Sequence, residues 1–298
     1  MPQITAIGEI LFDVYQDTKK LGGAPFNFIY HVKKLTGQGN FISRIGNDEP
    51  GNEIIRFLKK NNFSLSGIQT DPIHKTGAAK PKLNPDKIPE WTIEENTAYD
   101  FIEYNNEVER LIKNDSDSIY FGTLAQRRER SKTSIQKTFN QPGKKYFCDL
   151  NIRQNFYTKE LVQKCLMSAD ILKLNIDELK LVNDLLLEDG FDTLKTSQKV
   201  KTKFGIDLLC VTNGSEGARL FCNNEISSYK ADVPEDKIVD TVGAGDAFAA
   251  ILCIGKLKNW NIDKINKLAC EFSAEVVKIN GALPDDDSFY EVFKSKLN

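Results

Sequence analysis

The 298-residue chain contains only two histidines, His31 and His74. A Ser-His-Asp or zinc-centred mechanism would have to rest on one of them, and neither sits in a motif with the spacing that chemistry needs. His31 falls in a helix-like stretch, where a core or surface role explains it. The six cysteines (Cys148, Cys165, Cys210, Cys222, Cys253 and Cys270) include no C-x-x-C pair. Their mostly apolar contexts read as reduced, buried thiols in a cytoplasmic protein, and not as a disulfide or metal framework. No apolar run approaches the roughly 18 residues of a membrane span, and no basic segment with a cleavage site opens the chain. The expectation is neither a transmembrane helix nor a signal peptide. With a formal net charge of −2, basic residues do not gather among aromatics. The densest basic run, Arg127, Arg128 and Arg130 around Glu129, reads as a solvated face, so neither nucleic acid nor membrane is expected as a partner. A G-x-G-x-x-G after the first strand is also missing, which disfavours a dinucleotide dehydrogenase.

What remains has the balance of one large globular domain. Its most chemical stretch is Val239-Asp240-Thr241-Val242-Gly243-Ala244-Gly245-Asp246-Ala247-Phe248. Two glycines flank an alanine before an acid, and the acid opens an apolar helix-favouring run. Such a turn presents unpaired backbone N–H groups and the positive end of a helix dipole, a site for an oxyanion. A carboxylate beside that site could serve phosphoryl transfer as a base. A tight turn with an ordinary Asp cap explains the same residues.

In chain order, Gln3 to Phe12 reads as a central strand ending at Asp13, either a ligand residue at the sheet edge or a turn residue. Leu21-Gly22-Gly23-Ala24-Pro25-Phe26-Asn27 leads into a helix to about Leu35; the glycine pair permits close approach of a ligand, and Asn27 offers a donor and an acceptor. Strand 40–45 and a helix to about Lys60 continue a parallel βαβ rhythm. Residues 76–101, with Lys80, Pro81, Lys82, Pro85, Lys87 and Pro89, break it. They read as a β-hairpin joining 14–22 in a small sheet, either a lid that excludes water or a structural or dimer-forming flap. Strands at 118–121, 145–150 and 170–174 then end at polar residues, among them Asn151, Arg153, Asn175 and Glu178, which fit a site or simple caps. Strand 208–211 ends in Thr212-Asn213-Gly214-Ser215-Glu216-Gly217, a phosphate cradle or a plain hairpin. Residues 261–279 have helical spacing, with Asn280-Gly281 as the expected C-cap.

Taken together and in order, these motifs resemble the ribokinase-like (PfkB-type) carbohydrate kinases along nearly the whole chain. The carriers are Asp13, Gly22-Gly23-Ala24-Pro25-x-Asn27, Ser43-Arg44-Ile45-Gly46-x-Asp48-x-x-Gly51, Asn175-x-x-Glu178, Thr212-Asn213-Gly214-x-x-Gly217 and Asp240-Thr241-x-Gly243-Ala244-Gly245-Asp246. The resemblance implies a single Rossmann-like α/β/α sandwich over residues 1–298 with a small β-sheet lid (about 14–22 and 76–101), and ATP-dependent phosphorylation of a sugar hydroxyl. It implies Asp246 as general base, with Gly243, Ala244 and Gly245 as the anion hole. Asp13, Gly22, Gly23, Asn27 and Arg153 would bind sugar. Asn175 and Glu178 would organise Mg²⁺ and the ATP phosphates, largely through water, and Thr212, Gly214 and Gly217 would lie along the nucleotide. Asp240 and the backbone of Val242 match positions that hold a monovalent cation, K⁺, in many members. A homodimer through the lids rests on the same resemblance.

Within the family, Gly8-Glu9-Ile10-Leu11-Phe12-Asp13, Gly122-Thr123-Leu124-Ala125-Gln126-Arg127 and Asp149-x-Asn151-x-Arg153 look like the fructokinase branch. Arg153 is also similar to an arginine of ketodeoxygluconate kinases, and the Lys/Pro-rich lid departs from the expected strand pattern. The fructokinase-like motifs make fructose the first substrate to consider. Another sugar, ketodeoxygluconate or a nucleoside is the enzymatic alternative, and a non-catalytic sugar- or nucleotide-binding regulator is the alternative of another class.

Overall fold

The structure is a computed structural model that describes residues 1–15, 18–83 and 89–297. Gln16, Pro85 and Lys87 of the stretches expected to form the small sheet lie outside the described residues. Among these, thirteen strands alternate with ten α-helices. The first strand, β1 (Ile4–Ile7), is followed by β2 (Leu11–Val14), β3 (Lys19–Gly22) and helix α1 (Ala24–Thr36). Next come β4 (Asn40–Gly46), α2 (Glu49–Lys60), β5 (Ile68–Asp71), β6 (Gly77–Leu83), β7 (Pro89–Ile93) and α3 (Asn106–Asn114). The βα rhythm continues through β8 (Ser118–Phe121), α4 (Glu129–Lys137), β9 (Lys145–Asp149), α5 (Lys159–Met167), β10 (Ile171–Asn175), α6 (Ile176–Val182), α7 (Thr193–Phe204) and β11 (Leu208–Thr212). The chain closes with β12 (Ala218–Cys222), β13 (Glu225–Tyr229), α8 (Ala244–Leu257), α9 (Ile262–Val276) and α10 (Ser288–Lys296).

Nine strands form one sheet in the order β13-β12-β11-β10-β9-β8-β1-β4-β5, and the remaining four form a second, β3-β2-β6-β7. In the large sheet every pairing from β5 to β11 is parallel, and the β11-β12-β13 edge is antiparallel. Alternation along the central strands divides the core into two layers. Tyr120, Phe147, Ile171 and Cys210 point toward α1, α2, α8, α9 and α10. Their neighbours Phe121, Cys148, Leu172 and Leu209 point toward α3 to α7. Helix α8 is buried from Ala247 to Gly255 because it lies between α1 and α9, so its sequence is apolar nearly all round. This is the expected α/β/α sandwich with a small additional sheet.

The chain leaves β1 toward β4 and β5 on one side and returns to β8 on the other. Strand order reverses between β1 and β8, where open α/β sheets bind ligands beyond the strands' carboxyl ends. Two sequence expectations are corrected nearby. The continuous apolar run from Gln3 to Phe12 is two strands: the chain turns at Gly8, and β2 pairs with β3 and β6 in the small sheet. Asp13 therefore sits within that sheet, opposite Lys20 and Ala79, and not at the end of a central strand. Helix α9 stops at Val276 although the periodicity runs on to Ile279, and Gly281 does not cap it; its N–H donates to Asp240 Oδ2 (3.0 Å).

Candidate active site

A cleft of about 900 Å³ opens over the switch point, between the carboxyl ends of the large sheet and the small sheet. Of the residues singled out in the sequence it is lined by Asp13, Gly23, Asn27, Arg153, Asn175, Glu178, Thr212, Asp240, Val242, Gly243, Gly245 and Asp246. Gly22, Ala244, Gly214 and Gly217 are outside the lining. Gly22 is nonetheless close, since a Cβ there would lie 3.1 Å from Asp13 Oδ2. At Gly217 a Cβ would meet Tyr229 O at 2.1 Å, so the contact between β12 and β13 already demands a glycine. The Gly46-x-Asp48-x-x-Gly51 motif is structural: Asp48 caps α2 through Gly51 N–H and accepts from the Thr76 amide and hydroxyl, tying α2 to the start of β6.

The glycine-rich turn forms the N-terminus of α8. Gly243 is the N-cap with φ 80°, a conformation that costs a glycine little. A Cβ at Gly243 would also strike Ala282 Cβ at 2.3 Å. Ala247 N–H closes the first helical bond onto Gly243 O (2.9 Å), and Ala244 N–H reaches Thr241 O at 3.4 Å. The amides of Gly243, Gly245 and Asp246 have no acceptor among the described residues, as expected of a first turn. Asp240 fixes the turn from behind, accepting from Val242 N–H and Gly281 N–H, each at 3.0 Å.

Asp246 lies in that first turn, half-buried. Asn27 Nδ2, from α1, donates to its Oδ2 at 2.8 Å. Burial, then the negative charge of Asp149, push its pKa up from 3.8 to about 6, against the Asn27 hydrogen bond and the charges of Lys173 and Arg153. Asp13 is likewise raised to about 6, by burial first; Arg153 and Lys20 oppose the shift and Asp240 adds to it.

At the ends of β9 and β10 the polar groups are already paired. Asn175 and Glu178 form a reciprocal cap on α6: Glu178 N–H donates to Asn175 Oδ1 (2.8 Å) and Asn175 N–H to Glu178 Oε2 (2.8 Å). The N-x-x-E spacing is thus a capping box. Ile152 N–H donates to the other oxygen, Oε1, at 2.7 Å. Burial, then the Asp149 charge, still raise the Glu178 pKa. Lys173 Nζ bridges both oxygens of Asp149 at 2.9 and 2.8 Å. Burial alone would lower the Lys173 pKa, but Asp149 and the neighbouring acids raise it. A Cβ on Gly245 would come within 3.4 Å of Lys173 Nζ, so the missing side chain leaves this ammonium space under the turn.

Sequence reasoning assigned no role to Glu9, Asp149 or Lys173, all of which line the cleft. The signal for Lys173 was a lysine inside the apolar strand Ile171–Asn175, a position that needs a partner. Glu9 is 2% exposed and its Oε2 has no partner among the described residues; burial raises its pKa from 4.5 to about 7. Both histidines are structural. His31 is buried in α1 with its Nδ1 2.9 Å from Tyr290 OH, and burial lowers its pKa to about 3. His74 stacks on Phe101 with ring centroids 3.6 Å apart. All six cysteines are free and buried. Among the described residues no helix is long and apolar enough to cross a membrane.

Among the described residues no three His, Cys, Asp or Glu side chains group as a metal cage. Glu178, its oxygens already held by amides, instead suits an ion carried mainly by phosphates and water, the usual arrangement for Mg²⁺.

The model of the pfkB family of carbohydrate kinases matches residues 3–287. A Pyrococcus horikoshii protein described as a sugar kinase is 29% identical over 302 residues, covering 94% of this chain and 91% of its own. Its solved complex with ATP superposes with a TM-score of 0.78 at 24% identity, covering 94% of this chain and 93% of that one. Fructokinase-2 of Zea mays is 26% identical over 281 residues, covering 87% of this chain and 81% of its own. A Vibrio cholerae fructokinase double mutant, solved with fructose, ADP and a potassium ion, superposes with a TM-score of 0.80 at 20% identity and covers 97% of both chains.

Proposed function

Because this chain belongs to the pfkB family of carbohydrate kinases, we propose that it transfers the γ-phosphate of ATP to a hydroxyl of a small sugar, with fructose the first candidate. The observation that carries the reading is the Asn27–Asp246 contact at the open N-terminus of α8: an oriented carboxylate beside three unoccupied amides. Asp246 takes the proton from the attacking hydroxyl. A pKa near 6 leaves it ionised at neutral pH and more basic than an ordinary aspartate. The amides of the Gly243-Ala244-Gly245-Asp246 turn receive the charge on the transferring phosphoryl group, and the helix dipole acts in the same sense. Asp13, Gly22, Gly23, Asn27 and Arg153 hold the sugar so that one hydroxyl is in line.

ATP enters along β10 and β11, with Asn175 and Glu178 facing its phosphates and Thr212, Gly214 and Gly217 flanking the nucleotide. Mg²⁺ held by those phosphates, with Glu178 reached through water, would neutralise charge on them. Asp240 and the carbonyl of Val242 would hold K⁺ behind the turn, where Asp240 already fixes the backbone. The small sheet serves as the lid that excludes water. Six buried, free thiols support a cytoplasmic setting.

A pure binding protein has no use for a carboxylate held at an anion site, which weighs against the regulator. ATP turnover with fructose, ribose, ketodeoxygluconate and adenosine tests the reading. Turnover with fructose at least about tenfold above the others is expected. Preference for adenosine or ketodeoxygluconate would replace the substrate, and no turnover with any would remove the kinase reading.

A further inference from the structure

Glu9 follows β1 at the switch point, between the large sheet and β2 of the small one. Its side chain is 2% exposed and lines the cleft, and its Oε2 finds no hydrogen-bond partner among the described residues. Its backbone is pinned by the double-glycine turn: a Cβ on Gly23, whose φ is 109°, would meet Glu9 O at 2.7 Å. Two further acceptors share this end of the cleft. Asn27 Oδ1 is buried and unpartnered among the described residues, its amide nitrogen being committed to Asp246. Asp13, beside Gly22, makes no side-chain hydrogen bond among the described residues.

The nearby cations make their hydrogen bonds elsewhere. Arg127 gives Nε and Nη2 to Asp100, at 2.7 and 2.8 Å, and Nη2 also to the Glu94 carbonyl, while its Nη1 is buried without a partner among the described residues. Lys20 donates to the neutral Asn280 Oδ1, and its charge still acts on Asp13. Arg153, which is exposed, acts as a counter-charge on Glu9, Asp13 and Asp246 alike. A buried acceptor without a donor is costly, and a ligand that brings a donor removes the cost. A hydroxyl brings one; a carboxylate or phosphate brings only more acceptors and like charge.

We propose that Glu9 is a further sugar-binding residue, its free Oε2 accepting from a substrate hydroxyl beside Asp13 and Asn27, and that this acceptor wall selects a neutral polyhydroxy sugar over a sugar acid or a sugar phosphate. The proposal rests on the kinase reading above and fixes the class of its substrate.

The test compares the full chain with Glu9→Ala and Glu9→Gln, using fructose, ketodeoxygluconate and fructose 6-phosphate, with ADP binding as the check on folding. Glu9→Ala is expected to raise the KM for fructose at least about tenfold and leave the KM for ATP within about twofold. Glu9→Gln keeps an acceptor oxygen but removes the charge. Its KM for fructose should rise less, while kcat/KM for the two anionic substrates should gain at least about tenfold relative to fructose. Unchanged fructose KM in both variants, with ADP binding intact, overturns the assignment of Glu9 and leaves the kinase reading standing. A wild-type chain that prefers either anionic substrate overturns the selection. If the wild type turns over none of the three, the kinase reading has failed, and equilibrium binding of fructose to wild type and Glu9→Ala then decides Glu9 alone: equal affinity overturns it. Should both variants lose ADP binding, Glu9→Asp, which withdraws the carboxylate by one methylene, must show the raised KM, and a wild-type KM there overturns the proposal.

Discussion

The two ends of the cleft are built differently. At the end formed by β9, β10 and the α8 turn, side chains are already satisfied by the protein. Glu178 is held by two amides, Asp149 by Lys173, and Asp240 by two more amides. At the end formed by β2 and the α1 N-terminus, Glu9 Oε2 and Asn27 Oδ1 are buried without partners among the described residues. In the proposed reading, the first end is preorganised for a charge that is always the same, a triphosphate. The second, in the same reading, holds unmet acceptors that only the correct ligand satisfies, so it spends stability on discrimination. Asp246 is the seam, taking its orientation from Asn27 on one side and its helix from the other.

The comparison is broken most severely by Gly243→Ala. The new Cβ would need a φ of 80° and would sit 2.3 Å from Ala282, displacing the amides and Asp246 together. Loss of one such donor typically costs about 10²–10³ in kcat, and moving several should cost at least about 10³, read as kcat with both KM values measured alongside. Gly217→Ala, also excluded by a backbone contact, lies beyond the cleft. It should raise the KM for ATP by roughly threefold to tenfold through the displaced β12–β13 edge and leave the sugar KM unchanged. A shift in the sugar KM instead would blur the division between the ends.

The smallest expected effect is on stability. Glu9 and Asp246 have folded-state pKa values of about 7 and about 6, above their ordinary 4.5 and 3.8. A raised carboxyl costs stability above its folded pKa, and that cost is relieved as the pH falls toward the unfolded value. His31, lowered to about 3, works the other way, its contribution being lost below about pH 6.5, so the groups are separated by variants. Glu9→Gln and Asp246→Asn should each raise the apo-protein Tm at pH 8, on the order of a few degrees, and lose that advantage by pH 4.5. An equal offset at both pH values would mean that neither carboxyl carries the strain.

The satisfied end was the more legible in the sequence. Asn175-x-x-Glu178 and Gly243-Ala244-Gly245-Asp246 are local patterns whose spacing is set by helix caps, so the chain writes them contiguously. The Lys173–Asp149 pair crosses two strands, and no local spacing connects residues 149 and 173. Glu9 was obscured for another reason. The apolar run around it reads as one strand, and only the turn at Gly8 shows that the chain crosses there into the small sheet. Asp13 lines the cleft although its sequence placement was wrong, since the family motif marked it while the strand reading put it on the other sheet. Helix α9 was overextended because the apolar spacing continues past Val276 into a loop that holds Asp240.

The central claim, that Asp246 is the base between a prepared phosphate end and a waiting sugar end, is tested most directly by steady-state turnover of Asp246→Asn with the preferred sugar of the panel. The account predicts kcat lower by at least about 10²-fold with the KM for ATP within about threefold of wild type. Near-normal turnover in that variant would contradict it.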